Sequence, residues 1–265
     1  MKKLVFWAVL IAVALLSVSC KGKKDKDKLP QGEVHVSQYA PIPSFKEVFR
    51  TLDELKVKDV SVSLPTTVYK TKQEEARNAF ALGLLTADAV LAAKGRNKAK
   101  LVDISTQMMN LTPLLKLEDE INQLGDNMKT LIEQEKWSEL DATLDQIEQS
   151  VKDKLWDMEN YENYTLMILG GWSEAANRVA WLIKQDYAPE KTVILAQEGT
   201  WNSLVANLEL VTSEHIINNP GYKESLPLAK EIQAIIKAHK DRTYTSEQLD
   251  QIIAATDKIK AAFQK

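Results

Sequence analysis

The sequence predicts an all-α fold, a multi-helix bundle of antiparallel helical hairpins, on three observations. Apolar residues recur at steps of three and four along most of the chain after residue 43. Capping-box spacings precede several of these runs: Ser44 with Glu47, Thr71 with Glu74, Ser138 with Asp141. No run reads as a buried parallel strand, so helices must cover helices.

Taken in order, Ser44 opens a short helix through about Leu55. Residues 59–69 alternate briefly but are cut by Pro65 and read as an extended loop. A long apolar helix follows over 71–94, with Gly95 as its stop. The pattern then gives helices over 97–111, from Pro113 to near Gly125, and over 127–135, Pro113 suiting a first helical turn. From Ser138, Leu140, Leu144, Ile147, Val151, Leu155 and Met158 fall on one face. Further helices are expected over 162–185, from Pro189 to about His215, from Tyr222 to about His239, and from Ser246 to the end. In the last, Leu249, Ile252, Ile259 and Phe263 form the stripe. Trp137 and Trp172 lie 35 residues apart, near the period of a tetratricopeptide array. Helices such as 71–94 and 162–185 are too long for a ~34-residue repeat, which favours a bundle over a solenoid.

The first 20 residues carry a different signal. Met1-Lys2-Lys3 is followed by the apolar run Leu4 to Leu16 and then Ser17-Val18-Ser19-Cys20. The run is too short for an ordinary ~20-residue membrane span and has the cationic start and small residues of a secretory signal. Cys20 is the only cysteine. The pattern resembles a lipobox, with Ser17 where an aliphatic residue usually stands. Residues 1–19 are expected to be a lipoprotein signal peptide and Cys20 the lipidated first residue of the mature chain, with palmitate among its acyl groups. A lone thiol excludes internal disulfides, so the domain must hold by packing.

The chain has net charge −3. Loss of Lys2 and Lys3 with the signal takes it to −5. Residues 21–28 hold five lysines against two aspartates, net +3, which leaves −8 for residues 29–265. Residues 20–43 therefore read as lipidated Cys20, a charged flexible tether and a proline-bearing extended leader, and 44–265 as a single α-helical domain. The acidic domain argues against nucleic acid as a partner. The address implied is the bacterial cell envelope, with the outer membrane favoured because no aspartate follows Cys20.

Two helices place unusual groups on apolar faces. Gly83, Thr86 and Asp88 interrupt the first; Gly170, Gly171, Trp172, Glu174 and Arg178 interrupt the second. Glycine costs about 1 kcal/mol against alanine within a helix, so these positions suggest a close crossing of the two helices. Asp88, Glu174 and Arg178 would then meet, with Arg77 three turns before Asp88 on nearly the same face. This cluster is either a structural set of ion pairs or a ligand pocket with Trp172 as an apolar wall. His35, His215 and His239 lack metal-ligand spacing, no phosphate loop occurs, and no serine sits in a nucleophile motif, so no metal, cofactor or catalytic residue is assigned.

The pairing of Leu82-Gly-Leu-Leu-Thr-Ala-Asp88 with Leu169-Gly-Gly-Trp-Ser-Glu-Ala175, and the intervening Leu111-Thr-Pro113, resembles a group of uncharacterised bacterial helical lipoproteins. The resemblance covers about residues 76–178 and implies a membrane-anchored helical domain without assigning a reaction. Three functions remain open at this stage. The first, which the absence of catalytic signatures favours, is an interaction module for an envelope protein partner; the alternative is a small-ligand binding protein with a pocket between helices 71–94 and 162–185. The third is a carboxylate-dependent hydrolase, because carboxylates adjacent in space need not be adjacent in sequence.

Overall fold

Two long helices in backbone contact organise the structure. The computed structural model describes residues 38–52, 60–64, 69, 74–238 and 241–265, all within one compact unit. Among them are ten α-helices and no strand. They are α1 (Lys46–Arg50), α2 (Glu75–Lys94), α3 (Lys98–Leu115), α4 (Glu118–Glu133), α5 (Trp137–Asp157), α6 (Tyr161–Gln185), α7 (Glu198–Glu209), α8 (Glu214–Ile217), α9 (Pro220–Lys237) and α10 (Ser246–Gln264). Short 3-10 segments lie at Val60–Ser63 and Pro189–Leu195. The fold is an all-α helical bundle.

Helix α2 is apolar on every side, and every residue from Ala76 to Ala93 is buried. By length and composition it could cross a membrane, but its most apolar window lies wholly inside the protein. An all-round apolar helix is a core helix when neighbours surround it. Its closest neighbour is α6. A Cβ on Gly83 would stand 1.8 Å from the Met167 carbonyl oxygen, and one on Gly170 would stand 2.1 Å from the Phe80 carbonyl oxygen. Only glycine permits that approach. The contacts run in one sense along both helices, from Asn163 on Glu75 (3.2 Å) to Arg178 on Asp88 (3.9 Å), so α2 and α6 are parallel. Four antiparallel steps through α3, α4 and α5, joined by connections of two or three residues, produce that arrangement.

The last helix closes the core. Phe263 stacks on Phe80 at 4.1 Å, and a Cβ on Gly221 of α9 would reach within 2.6 Å of the Phe263 ring. Lys184 pairs with Asp250, while Asn177 donates to Thr256 Oγ1 and Asp257 Oδ1, each at 2.9 Å. These contacts set α10 antiparallel to α6. Its start is a complete capping box between Thr245 and Gln248.

Several elements differ from the sequence expectation. Helix α1 spans Lys46–Arg50, and Leu55 lies outside the described residues; the expected capping box does not form, as Ser44 Oγ donates to Glu148 Oε2 at 2.7 Å and Glu47 pairs with Arg50. Thr71 also lies outside them. Pro113 sits in the last turn of α3 instead of opening a new helix. The Met109 carbonyl, which a residue 113 N–H would normally satisfy, accepts instead from Thr112 Oγ1 at 3.0 Å. The segments expected to end at Gly125 and resume at 127 form one helix, α4, running through Gly125. The single helix expected from Pro189 to His215 is three pieces, the 3-10 segment, α7 and α8. Thr192 at the centre of the 3-10 segment is fixed by donating to Pro189 O and accepting from Tyr244 N at 2.8 Å.

The leader is also part of the fold from Tyr39 onward. Ala40 N donates to Asn207 Oδ1 at 2.8 Å and Ala40 O accepts from Asn207 Nδ2 at 2.9 Å. Tyr39 stacks on Tyr161, and Ile42 and Phe45 are buried. The expected boundary at residue 44 therefore falls about five residues late.

Candidate functional site

Beyond the glycine crossing, the parallel course of α2 and α6 brings Asp88 beside Glu174. Both carboxyls are buried, Asp88 3% exposed and Glu174 0%. Each carboxyl acts on the other's proton affinity, so the two titrate as a pair. Burial, and then the Glu174 charge, push the Asp88 carboxyl well above its ordinary range. Burial acts the same way on Glu174, but Lys260 and Arg178 outweigh it and hold Glu174 below its ordinary value. Opposed environments thus set the preference: of the two, Asp88 keeps a proton to higher pH and Glu174 carries the charge.

The cations come from two helices. Arg178, one turn after Glu174 on α6, bonds it through Nε; Lys260 Nζ on α10 lies 3.1 Å from Glu174 Oε2 and 3.0 Å from Asp257 Oδ1. Asp257 is in turn held by Asn177. With Asp88 protonated, Glu174 and Asp257 balance Arg178 and Lys260. One atom stays outside this balance. Asp88 Oδ1 is buried and has no hydrogen-bond partner, its nearest cation being Arg178 Nε at 3.9 Å. An unsatisfied buried acceptor costs about 1–3 kcal/mol.

These groups line a cleft of about 270 Å³, with Leu84, Leu85 and Ala261 as its apolar wall and Tyr69 and Gln264 beside them. Tyr69 donates through its hydroxyl to Phe263 O at 3.2 Å, and its backbone N–H donates to Gln107 Oε1 at 2.7 Å. Burial, only partly offset by the charge of Arg77, pushes its hydroxyl up to about 12.

Of the residues singled out from sequence, Asp88, Glu174 and Arg178 come together at the cleft. Arg77 does not reach it. Eleven residues of helix place it about 16 Å along the axis, and its Nε lies 3.8 Å from Glu74 Oε2. Trp172 does not line the cleft either. It is buried against the leader and donates through Nε1 to Pro43 O at 3.0 Å. Sequence reasoning missed Lys260, Asp257 and Asn177. Of these only Asn177 carried a signal, as an amide one turn from Ser173 on a largely buried helix.

Cys20, His35 and His239 lie outside the described residues. His215 sits exposed in the last turn of α8. Among the described residues, no group of three or more His, Cys, Asp or Glu side chains could hold a metal ion. A separate groove between α3 and α4, about 280 Å³, is lined by Val102, Met109, Met128 and Ile132; Val102 is 49% exposed and Met109 48%. No protein-family model, curated protein or solved structure matches the chain.

Proposed function

We propose that this chain is a lipid-anchored protein of the bacterial cell envelope whose helical domain binds a small polar ligand in the cleft between α2, α6 and α10. The observation that carries the binding is Asp88 Oδ1, a buried acceptor without a partner that lines a cleft. Native proteins satisfy nearly all buried polar atoms, and among the described residues with an unpartnered one, Asp88 and Glu174 are those that line this cleft, Glu174 Oε2 already lying 3.1 Å from Lys260 Nζ. The anchor rests on Cys20 in its lipobox-like setting.

Both halves are open to direct test. A thermal-shift screen of the full chain in mild detergent, against sugars, amines, amino acids and organic acids, should return a class that stabilises the wild type and not Asp88→Asn. Mass action gives about 2.7 kcal/mol at a hundredfold excess over Kd. A screen silent in every class removes the binding reading. For the anchor, the mature protein should carry acyl groups on Cys20 by mass spectrometry, and Cys20→Ala should leave the membrane fraction; a Cys20→Ala chain that stays membrane-bound refutes it.

An interaction module has a different observation in its favour, the half-exposed Val102 and Met109 on the α3/α4 groove. An envelope protein seated there would give one defined photo-crosslinked adduct from position 109 in intact membranes. Absence of any such adduct would remove that reading.

A further inference from the structure

We propose that the ligand of the cleft is a small primary amine, bound as its ammonium ion on Asp88. This deepens the small-ligand reading and rests on it.

The unfilled valence fixes the first requirement. Asp88 Oδ1 accepts from nothing within the protein, so its complement must be a hydrogen-bond donor. Charge fixes the second. The groups facing Asp88 are Glu174 and Arg178 from α6, Lys260 and Asp257 from α10, and Tyr69 ahead of α2. With Asp88 protonated the two remaining carboxylates balance the two cations, and both cations are already engaged: Arg178 on Glu174, Lys260 on Glu174 and Asp257. An anion would add a negative charge beside three carboxyls with no cation left to receive it. An ammonium ion that arrives as the Asp88 proton leaves to solvent keeps the cleft neutral. Asp88–COOH and R–NH3⁺ become Asp88–COO⁻·R–NH3⁺ and a released proton, so charge and atoms balance.

Ionised Asp88 then accepts from the ammonium through Oδ1 and gains a closer charge partner than Arg178 at 3.9 Å. Volume fixes the third requirement. About 270 Å³ is the space of roughly nine waters at ~30 Å³ each. Leu84, Leu85 and Ala261 offer an apolar wall to a short carbon chain. A neutral alcohol could donate to the same oxygen, but would leave the proton in place, and that difference can be measured.

The probes are n-butylamine and n-butanol, titrated into the full chain in mild detergent and followed by calorimetry in buffers of different ionisation enthalpy. Butylamine should release close to one proton per site. Its affinity should rise up to tenfold per pH unit over the range in which free Asp88 remains protonated. Butanol should bind far more weakly and release none. Asp88→Asn keeps an NH donor toward Glu174 and a carbonyl oxygen at the Oδ1 position but has no proton to lose. It should retain the fold, checked by near-UV circular dichroism, and lose butylamine binding. Butylamine binding without proton release, or binding unchanged in Asp88→Asn, overturns the proposal. Butanol binding as well as butylamine and depending on Asp88 also overturns it, while leaving the small-ligand reading standing. Silence from both probes overturns the amine, and a wider screen that is also silent removes the ligand reading with it.

Discussion

Replacing Gly83 by alanine tests the crossing on which the cleft depends. In an ordinary helix interior the change would stabilise by about 1 kcal/mol. Here the added Cβ would stand 1.8 Å from Met167 O and 2.9 Å from Gly171 N, backbone atoms that cannot swing aside, where ordinary contact begins at 3.4 Å. The helices must part by about 1.6 Å, the difference between those distances. A gap of 0.5–1 Å already forfeits a quarter to a half of each dispersion contact of ~0.1–0.2 kcal/mol. Over some tens of atom pairs along two long helices the loss is about 3–4 kcal/mol, so the net change is a destabilisation of about 2–3 kcal/mol. That corresponds to a fall in Tm of about 5–10 °C for a domain of this size. Gly125→Ala is the matched control: its Cβ would meet only Met109 Sδ at 3.8 Å, within the interior of α4, and should gain up to ~1 kcal/mol. Urea denaturation followed by tryptophan fluorescence reads both. Adding Gly170→Ala to Gly83→Ala should cost less than the sum of the two, because one separation relieves both clashes. A Gly83→Ala protein as stable as Gly125→Ala refutes the backbone contact.

Four further outcomes follow from named contacts. Glu174→Gln leaves Arg178 and Lys260 without their shared acceptor in a buried site and should cost about 3 kcal/mol by denaturation at neutral pH, whereas a loss under 1 kcal/mol would mean the cations find other partners. The pH dependence has two opposed parts. Asp88, raised in the folded state, contributes stability that is full below the unfolded value near 4 and is lost as pH rises through its folded value. Glu174, depressed, contributes stability present above about 4.3 that is lost as pH falls through its folded value. Asp88→Asn should remove only the first part, flattening the denaturation midpoint above about pH 4; an unchanged slope refutes the assignment. Asn207→Ala removes both bonds to Ala40 and should speed proteolysis near residue 40 with a loss of about 1–3 kcal/mol, and wild-type protection would mean Tyr39 and Ile42 hold the leader alone. Lys116, an exposed helix end at φ 58°, should gain about 1 kcal/mol as Lys116→Gly, seen as a higher Tm; a lower Tm refutes the strain.

Fold class was legible because periodicity survives in the long helices other than α2, which is apolar on every side. The expected 138–158 and 162–185 differ by a residue at most from Trp137–Asp157 and Tyr161–Gln185. What failed was punctuation. Pro113 and Gly125 are strong breakers on average, but the hydroxyl of the adjoining Thr112 absorbs the first and open space surrounds the second, which average breaker strengths do not register. Gly95 does lie at the end of α2, yet the left-handed residue there is Arg96, at φ 52°. Within the site, Glu174 and Arg178 were legible as an i,i+4 pair, and Asp88 because polar groups are rare on an apolar face. Lys260 and Asp257 were not. Three residues apart on an amphipathic helix, they have the spacing of ordinary surface charges, and only the antiparallel seating of α10 on α6 turns Lys260 onto Glu174, with Asp257 exposed at the rim of the cleft.

The cleft follows from direction as much as from contact. Had α2 and α6 packed antiparallel about the same glycines, the residues beyond Gly83 would face those before Met167, and Asp88 would lie near Asn163 and Tyr164 instead of Glu174. The parallel course instead carries both chains past the crossing together: five residues from Gly83 to Asp88 and four from Gly170 to Glu174, about 7.5 and 6 Å of helix. Asp88 and Glu174 therefore lie together just beyond the glycine crossing, where α10 places Lys260 against Glu174. An apolar pair at 88 and 174 would pack there at no cost and often with a gain in stability. That the sequence instead holds two acids whose titrations are coupled, with two cations to keep them in place, makes the cleft one polar expense of this fold, beside the unpartnered Arg77 Nε, Asn163 Oδ1, Thr165 Oγ1 and Ser173 Oγ elsewhere on the same helix pair.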